Sequence, residues 1–231
     1  MQAFVNGIPV INNLDAAQQY AANINTFEIL NQSMYDSAAY AAAGQNTLTF
    51  FQVPLGAGTG VISGAGKTYE DTNMQAAGAM PNMQAFIVTS VEVEFQPDIT
   101  FTAAALPAAF GAQAVATAIN DAWIFRATGF LNFTIGQKPY LQEGPMMKFP
   151  ASNDFEIDAA LCDTTTAAAA SQSRIAFGKA VGPAYMLNPN NLLLIPMQNF
   201  VITLNWATVQ AITTKARVFV RLMGQLLRSA Q

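Results

Sequence analysis

The chain has 231 residues and a net charge of −4; only 10% of its residues are charged and none is histidine. An ordinary soluble domain carries roughly 25% charged residues, so ionic groups are too few to cover this exterior, and part of it is expected to lie neutral against something else. Without histidine, a Ser-His-Asp triad and histidine-clustered metal sites are both excluded.

In chain order, residues 1–46 read as a helical arm and 47–231 as one sandwich domain. Stretches 14–23 and 27–43 are rich in Ala, Gln, Leu and Met, with Asn12 or Asn13 and Thr26 as caps and Gly44 as a stop. Neither has a strong apolar stripe, which suits an arm that packs on something. After Gly44 the texture turns β-branched and aromatic, punctuated by Gly, Pro and Asn. Eight strand candidates follow: 47–54, 85–96, 122–136, 138–149, 155–161, 185–195, 199–206 and 216–228.

Period-two alternation is clearest in four of them. Trp123, Phe125, Ala127, Leu131, Phe133 and Ile135 share one face in the third. Ile87, Val91, Val93 and Phe95 oppose Ser90, Glu92 and Glu94 in the second. Phe200, Ile202, Leu204 and Trp206 share a face in the seventh, and Val218, Val220 and Leu222 oppose Arg217 and Arg221 in the last. Three long connections remain, at 55–84, 97–121 and 162–184, and the second is expected to hold a short helix at 108–120. Eight strands joined by hairpins and long crossings match the jelly-roll count, and the long loops favour a single jelly roll over a double one.

Charge is unevenly placed. Residues 1–120 contain eight acids (Asp15, Glu28, Asp36, Glu70, Asp71, Glu92, Glu94, Asp98) and one base, Lys67, whereas 121–231 hold nine bases and six acids. The last stretch carries Lys215, Arg217, Arg221 and Arg228, read as a solvated face or as interface partners. No basic arm is present to neutralise phosphates, so direct nucleic acid binding is not expected. The lone Cys162 fits cytoplasmic synthesis and reads as a small buried hydrophobe. Met1 to Val10 lacks the basic and apolar regions of a secretion signal. The uncharged stretch 99–120 contains Pro107 and Gly111 and is rejected as a membrane span.

Several tempting sites fail on their own chemistry. The run from Gly56 to Thr68 ends in Gly-Lys-Thr, but the phosphate-loop spacing puts Val61 where glycine is required, so a surface loop is the better reading. Glu92 with Glu94, Glu70 with Asp71, and Glu156 with Asp158 are the carboxylate pairs available for glycoside hydrolysis or a hard cation; solvated or interface-paired acids are the simpler account. Asn31 and Asn132 head glycosylation-type triplets that nothing else supports. Trp123 and Trp206 fall on apolar strand faces and are expected in the core, which weakens the case for a carbohydrate platform. No catalytic, cofactor-binding or metal-binding residue is assigned, and no cofactor is expected.

Four blocks carry a family resemblance: Leu48-Thr49-Phe50-Phe51-Gln52-Val53-Pro54-Leu55-Gly56; Lys67-Thr68-Tyr69-Glu70-Asp71 through Met80-Pro81 to Phe86; Gly129-Phe130-Leu131-Asn132-Phe133-Thr134-Ile135-Gly136 with Lys138, Tyr140 and Phe149-Pro150; and Pro196-Met197-Gln198-Asn199-Phe200 with Trp206 and the ending Gly224 to Gln231. Together they resemble the major capsid proteins of tailless, icosahedral, membrane-containing bacteriophages with vertical jelly-roll coats. The resemblance implies trimers or other capsomers in an icosahedral lattice within the virion. It also implies a lipid membrane beneath the shell, with a minor capsid protein and a vertex protein as neighbours. The alternative is a carbohydrate-binding or adhesin-type β-sandwich.

Overall fold

Two strands of 14 residues, β6 (Gln84–Pro97) and β14 (Ala216–Ser229), run antiparallel through the middle of one sheet. In this computed structural model the described residues are 4–5, 8–9, 27–61, 64–97, 112–151, 156–159, 173–176, 184–187 and 191–229. The far edge of β14 pairs with β3 (Phe27–Asn31) and then β4 (Met34–Tyr40). The far edge of β6 pairs with β11 (Tyr185–Met186) and β12 (Leu192–Leu194). A second antiparallel sheet has the order β5 (Thr47–Phe50), β13 (Phe200–Asn205), β7 (Phe130–Ile135), β8 (Lys138–Glu143). The protein is therefore an all-β sandwich. Two small hairpins, β1 (Phe4–Val5) with β2 (Ile8–Pro9) and β9 (Glu156–Ala159) with β10 (Ser173–Ala176), lie outside these sheets.

Strict alternation builds the core. In β5, β7 and β13 every second residue is buried: Leu48 and Phe50, Leu131, Phe133 and Ile135, then Phe200, Ile202 and Leu204. These meet Phe86, Val88, Val91, Val93 and Phe95 of β6 and Val218, Val220 and Leu222 of β14. At about 25 cal/mol per Å² of apolar surface, this two-sheet interior is the main stabilising element. A helix, α1 (Ala112–Ala127), contributes Phe125, whose ring lies 4.8 Å from Phe95, 5.3 Å from Trp206 and 5.7 Å from Tyr40, centroid to centroid.

The helical expectation for 27–43 is overturned, because this segment forms β3 and β4. Helix propensity differs by only tenths of a kcal/mol between ordinary residues. Pairing along the whole edge of β14 and burial of Met34 and Tyr40 outweigh it. The other expected arm helix, 14–23, lies outside the described residues. The expected strand at 122–136 is corrected as well: 122–127 complete α1, and only Phe130–Ile135 is strand. Helical spacing places Asp121, Ala122 and Phe125 inward, and the helix stops before Gly129, whose φ of +86° suits a glycine C-terminal stop. The helix expected at 108–120 is present from Ala112 but runs on to Ala127.

A bulge changes the phase of β6. Met223 pairs with Ser90 and Gly224 with Val88, leaving Thr89 unopposed. Ile87, expected on the face of Val91, instead joins Ala85 and Leu227 on the sheet's other side. The expected strand at 155–161 is β9, in a separate hairpin, and the stretch 185–195 is split into β11 and β12.

Asp121 ties α1 to the loop before β14. Its carboxylate is fully buried and accepts from Thr213 N at 2.8 Å, Thr214 N at 3.1 Å and Thr214 Oγ1 at 3.4 Å. Asp121→Ala should cost about 2 kcal/mol by orphaning two backbone donors. Urea unfolding checks this, and a cost within error of zero would contradict it.

Candidate functional site

The Gly-rich segment folds back on itself as a surface loop. Gly56 N donates to Lys67 O, Lys67 N to Ala57 O, and Gly60 N to Ala65 O. Lys67, the residue a phosphate loop would need free, turns inward: its Nζ donates to Asp36 Oδ1 at 2.6 Å and to Ser37 O at 2.8 Å, with 8% of the side chain exposed. Asp36 also accepts from Phe51 N at 2.6 Å. Burial pushes the Asp36 carboxyl up, while the Lys67 ammonium and the Phe51 amide pull it back. Phe51 is itself fully buried with φ of +68°, a left-handed conformation costing a side-chain residue roughly 1 kcal/mol or more. The Asp36 hydrogen bond helps to hold it there. This cluster staples loop to sandwich, and Lys67 is not presented to an outside anion.

The outer side of the first sheet carries the charges. Phe219 lies between Arg217 and Arg221, whose guanidinium carbons sit 4.1 and 5.1 Å from its ring centroid. Arg217 binds Asp71 Oδ1 at 3.1 Å and the Glu70 carbonyl, and Arg221 binds Glu94. Ser37 Oγ donates to Asp71; Arg228, on the opposite face of β14 near the end of the strand, pairs with Glu28 at 2.9 Å. Strand pairing therefore brings acids of the first half against bases of the second, which gives a structural role to the uneven charge of the sequence. Arg217, Arg221 and Arg228 are ion-paired within the chain, so the alternatives left open for the C-terminal bases give way to internal pairing at these three. Glu92 and Glu94 are buried at 2% and 4% exposure. Among the described residues no cluster of three metal-ligating side chains occurs. Glu156 and Asp158 lie on β9, opposite Ala176 and Arg174; Cys162 falls outside the described residues.

The outer side of the second sheet is different in kind. Its rows read Thr47, Asn205 and Phe130; then Thr49, Thr203, Asn132 and Gln142; then Val201 and Thr134. All are exposed or half-exposed, and none is charged. Asn205 Nδ2 donates to Thr203 Oγ1 at 2.9 Å, and Thr47 Oγ1 donates to Asn205 Oδ1 at 3.3 Å. Asn132 Oδ1 is buried and has no hydrogen-bond partner among the described residues.

A cavity of about 250 Å³ opens at the β3–β4 end, floored by Met34, Met74, Met80, Phe86 and Leu226 beneath Gln32, Tyr69, Gln84 and Arg228. Trp206 is buried at 4% exposure as expected, but Trp123 is 60% exposed on α1. That expectation failed because the tryptophan sits on a helix and not on a strand. Among the described residues no helix is long and apolar enough to cross a membrane. Comparison of the chain with family models, curated proteins and solved structures finds no match.

Proposed function

We propose that the chain is a structural coat subunit, the major capsid protein of a tailless, icosahedral, membrane-containing bacteriophage, built as a single jelly roll. The strand order carries the reading. The eight sandwich paths in chain order are β3/β4, β5, β6, β7, β8, β11/β12, β13 and β14. Numbered one to eight, they form one sheet with order 1-8-3-6 and another with order 2-7-4-5. That interleaving of early and late strands is what winding a jelly roll produces. Since fold alone does not assign function, the coat role rests on the four sequence blocks together with scarce charge.

In this reading the subunit catalyses nothing. It presents loops outward and neutral flanks to copies of itself, and weak contacts add up through symmetry. It is made in the host cytoplasm and ends in the virion shell, with the viral membrane, a minor capsid protein and a vertex protein as neighbours. The acid-rich first half suits a coat separated from nucleic acid by lipid.

Light scattering and electron microscopy of the purified protein test the proposal. Trimers, larger capsomers or shells are expected at micromolar concentration. A carbohydrate-binding sandwich is the second reading, favoured by the exposed Trp123 and by Tyr140 at 53% exposure. A stable monomer that binds polysaccharide and loses it in Trp123→Ala would establish that alternative instead.

A further inference from the structure

We propose that the open face of the second sheet, centred on Thr203, is a contact surface for a second copy of this chain. The inference rests on the coat-subunit reading and names the surface through which assembly occurs.

The two sheets treat their outer sides oppositely. On the first, Arg217, Arg221, Asp71 and Glu94 neutralise one another and are largely buried. On the second, four strands present a face with no charge, exposed or half-exposed throughout. In a chain with only 10% charged residues this sheet face is entirely uncharged. Charged side chains are depleted at the cores of interfaces because burying an ion without a partner is costly.

The chemistry of the face selects the occupant. An acidic or basic partner would find no counter-ion in the central row and would lose hydration for nothing. Threonine, asparagine and glutamine each carry a donor and an acceptor, so the same uncharged face of a second copy can satisfy them without local charge repulsion, although the chain as a whole carries −4.

Area sets the strength. Four strands about 4.8 Å apart and about five residues long cover roughly 300 Å², against about 800 Å² per side in a standard stable interface. The face, which includes Phe130 at 43% exposure and is extended by Tyr140 at 53%, makes a contact that is weak singly and effective when repeated by symmetry.

Thr203→Lys tests this, with Gln32→Lys at the β3–β4 turn of the other sheet as a charge-matched control. Sedimentation velocity across a concentration series should show Thr203→Lys raising the self-association constant for dissociation about 100-fold, as expected for like charges placed face to face. Gln32→Lys should stay near wild type. Circular dichroism should show both folded; Thr49→Lys on the adjoining strand replaces Thr203→Lys if that variant unfolds. Folded face variants that assemble like wild type, or a control that fails equally, would overturn this surface while leaving the coat reading intact. A wild-type chain that is monomeric at every concentration overturns both.

Discussion

Gly224→Ala is expected to disrupt the long strand pair and to remove about 3 kcal/mol or more of stability. Gly224 stands at the bulge where β14 and β6 change register. A Cβ there would collide with the Ile87 carbonyl oxygen and lie 2.9 Å from its carbon and 3.1 Å from Phe86 Cε1. The obstacle is backbone, held by the pairing of Gln225 with Ile87, so it cannot swing aside as a flexible side chain would. Overpacking of ordinary core positions costs about 1–3 kcal/mol, and a collision with main chain in the central strands belongs at or above the top of that range. Total stabilities run about 5–15 kcal/mol, so soluble yield should fall and the denaturation midpoint should drop sharply. A Gly224→Ala protein with an unchanged midpoint would mean that the bulge is not present as described.

Lys67→Met should cost about 3–5 kcal/mol, because it leaves the Asp36 carboxylate buried without its counter-ion. Asp36 is 1% exposed and would keep only neutral partners such as the Phe51 amide. Lys67→Met combined with Asp36→Leu should cost clearly less than the two single changes added together, since no unpaired ion then remains. The double variant will not reach wild type, because the Phe51 N–H loses its acceptor while Phe51 still holds φ of +68°. Denaturant titration of all four proteins gives the coupling. Additive costs would show that the pair is screened by water and does not anchor the loop.

The same pair explains why part of the fold was illegible in the sequence. Met34, Ala38 and Tyr40 turn towards the core with strand spacing, but Asp36 stands between them at an inward position. An acid there breaks the apolar alternation that would have marked a strand, and its partner lies 31 residues away. Ala-rich neighbours then favoured a helix. At 122–127 the error ran the other way. Trp123 and Phe125 happen to alternate, yet on α1 the second is fully buried and the first 60% exposed. The β6 bulge was hidden for a related reason: the unopposed Thr89 is revealed only by the register of β14.

The open neutral face can be read residue by residue, since period two leaves Thr203, Asn205, Asn132 and Thr134 opposite the apolar residues of their strands. Their assembly into one surface cannot, because β5, β7 and β13 become neighbours only after a long crossing.

By itself the sequence determined a β-rich domain poor in charge, with strands at 47–50, 84–97, 200–205 and 216–229 within one or a few residues of their expected places, and the strand at 130–135 inside a longer expected one whose first part is helix. It also excluded histidine chemistry, because composition and alternation are local properties. Tertiary structure decided which segments became partners: that 27–40 complete a sheet, that Lys67 turns inward to Asp36, and that acids of the first half neutralise bases of the second. Those outcomes depend on contacts between residues far apart in the chain, where burial and pairing energies exceed the small local preferences that a sequence displays.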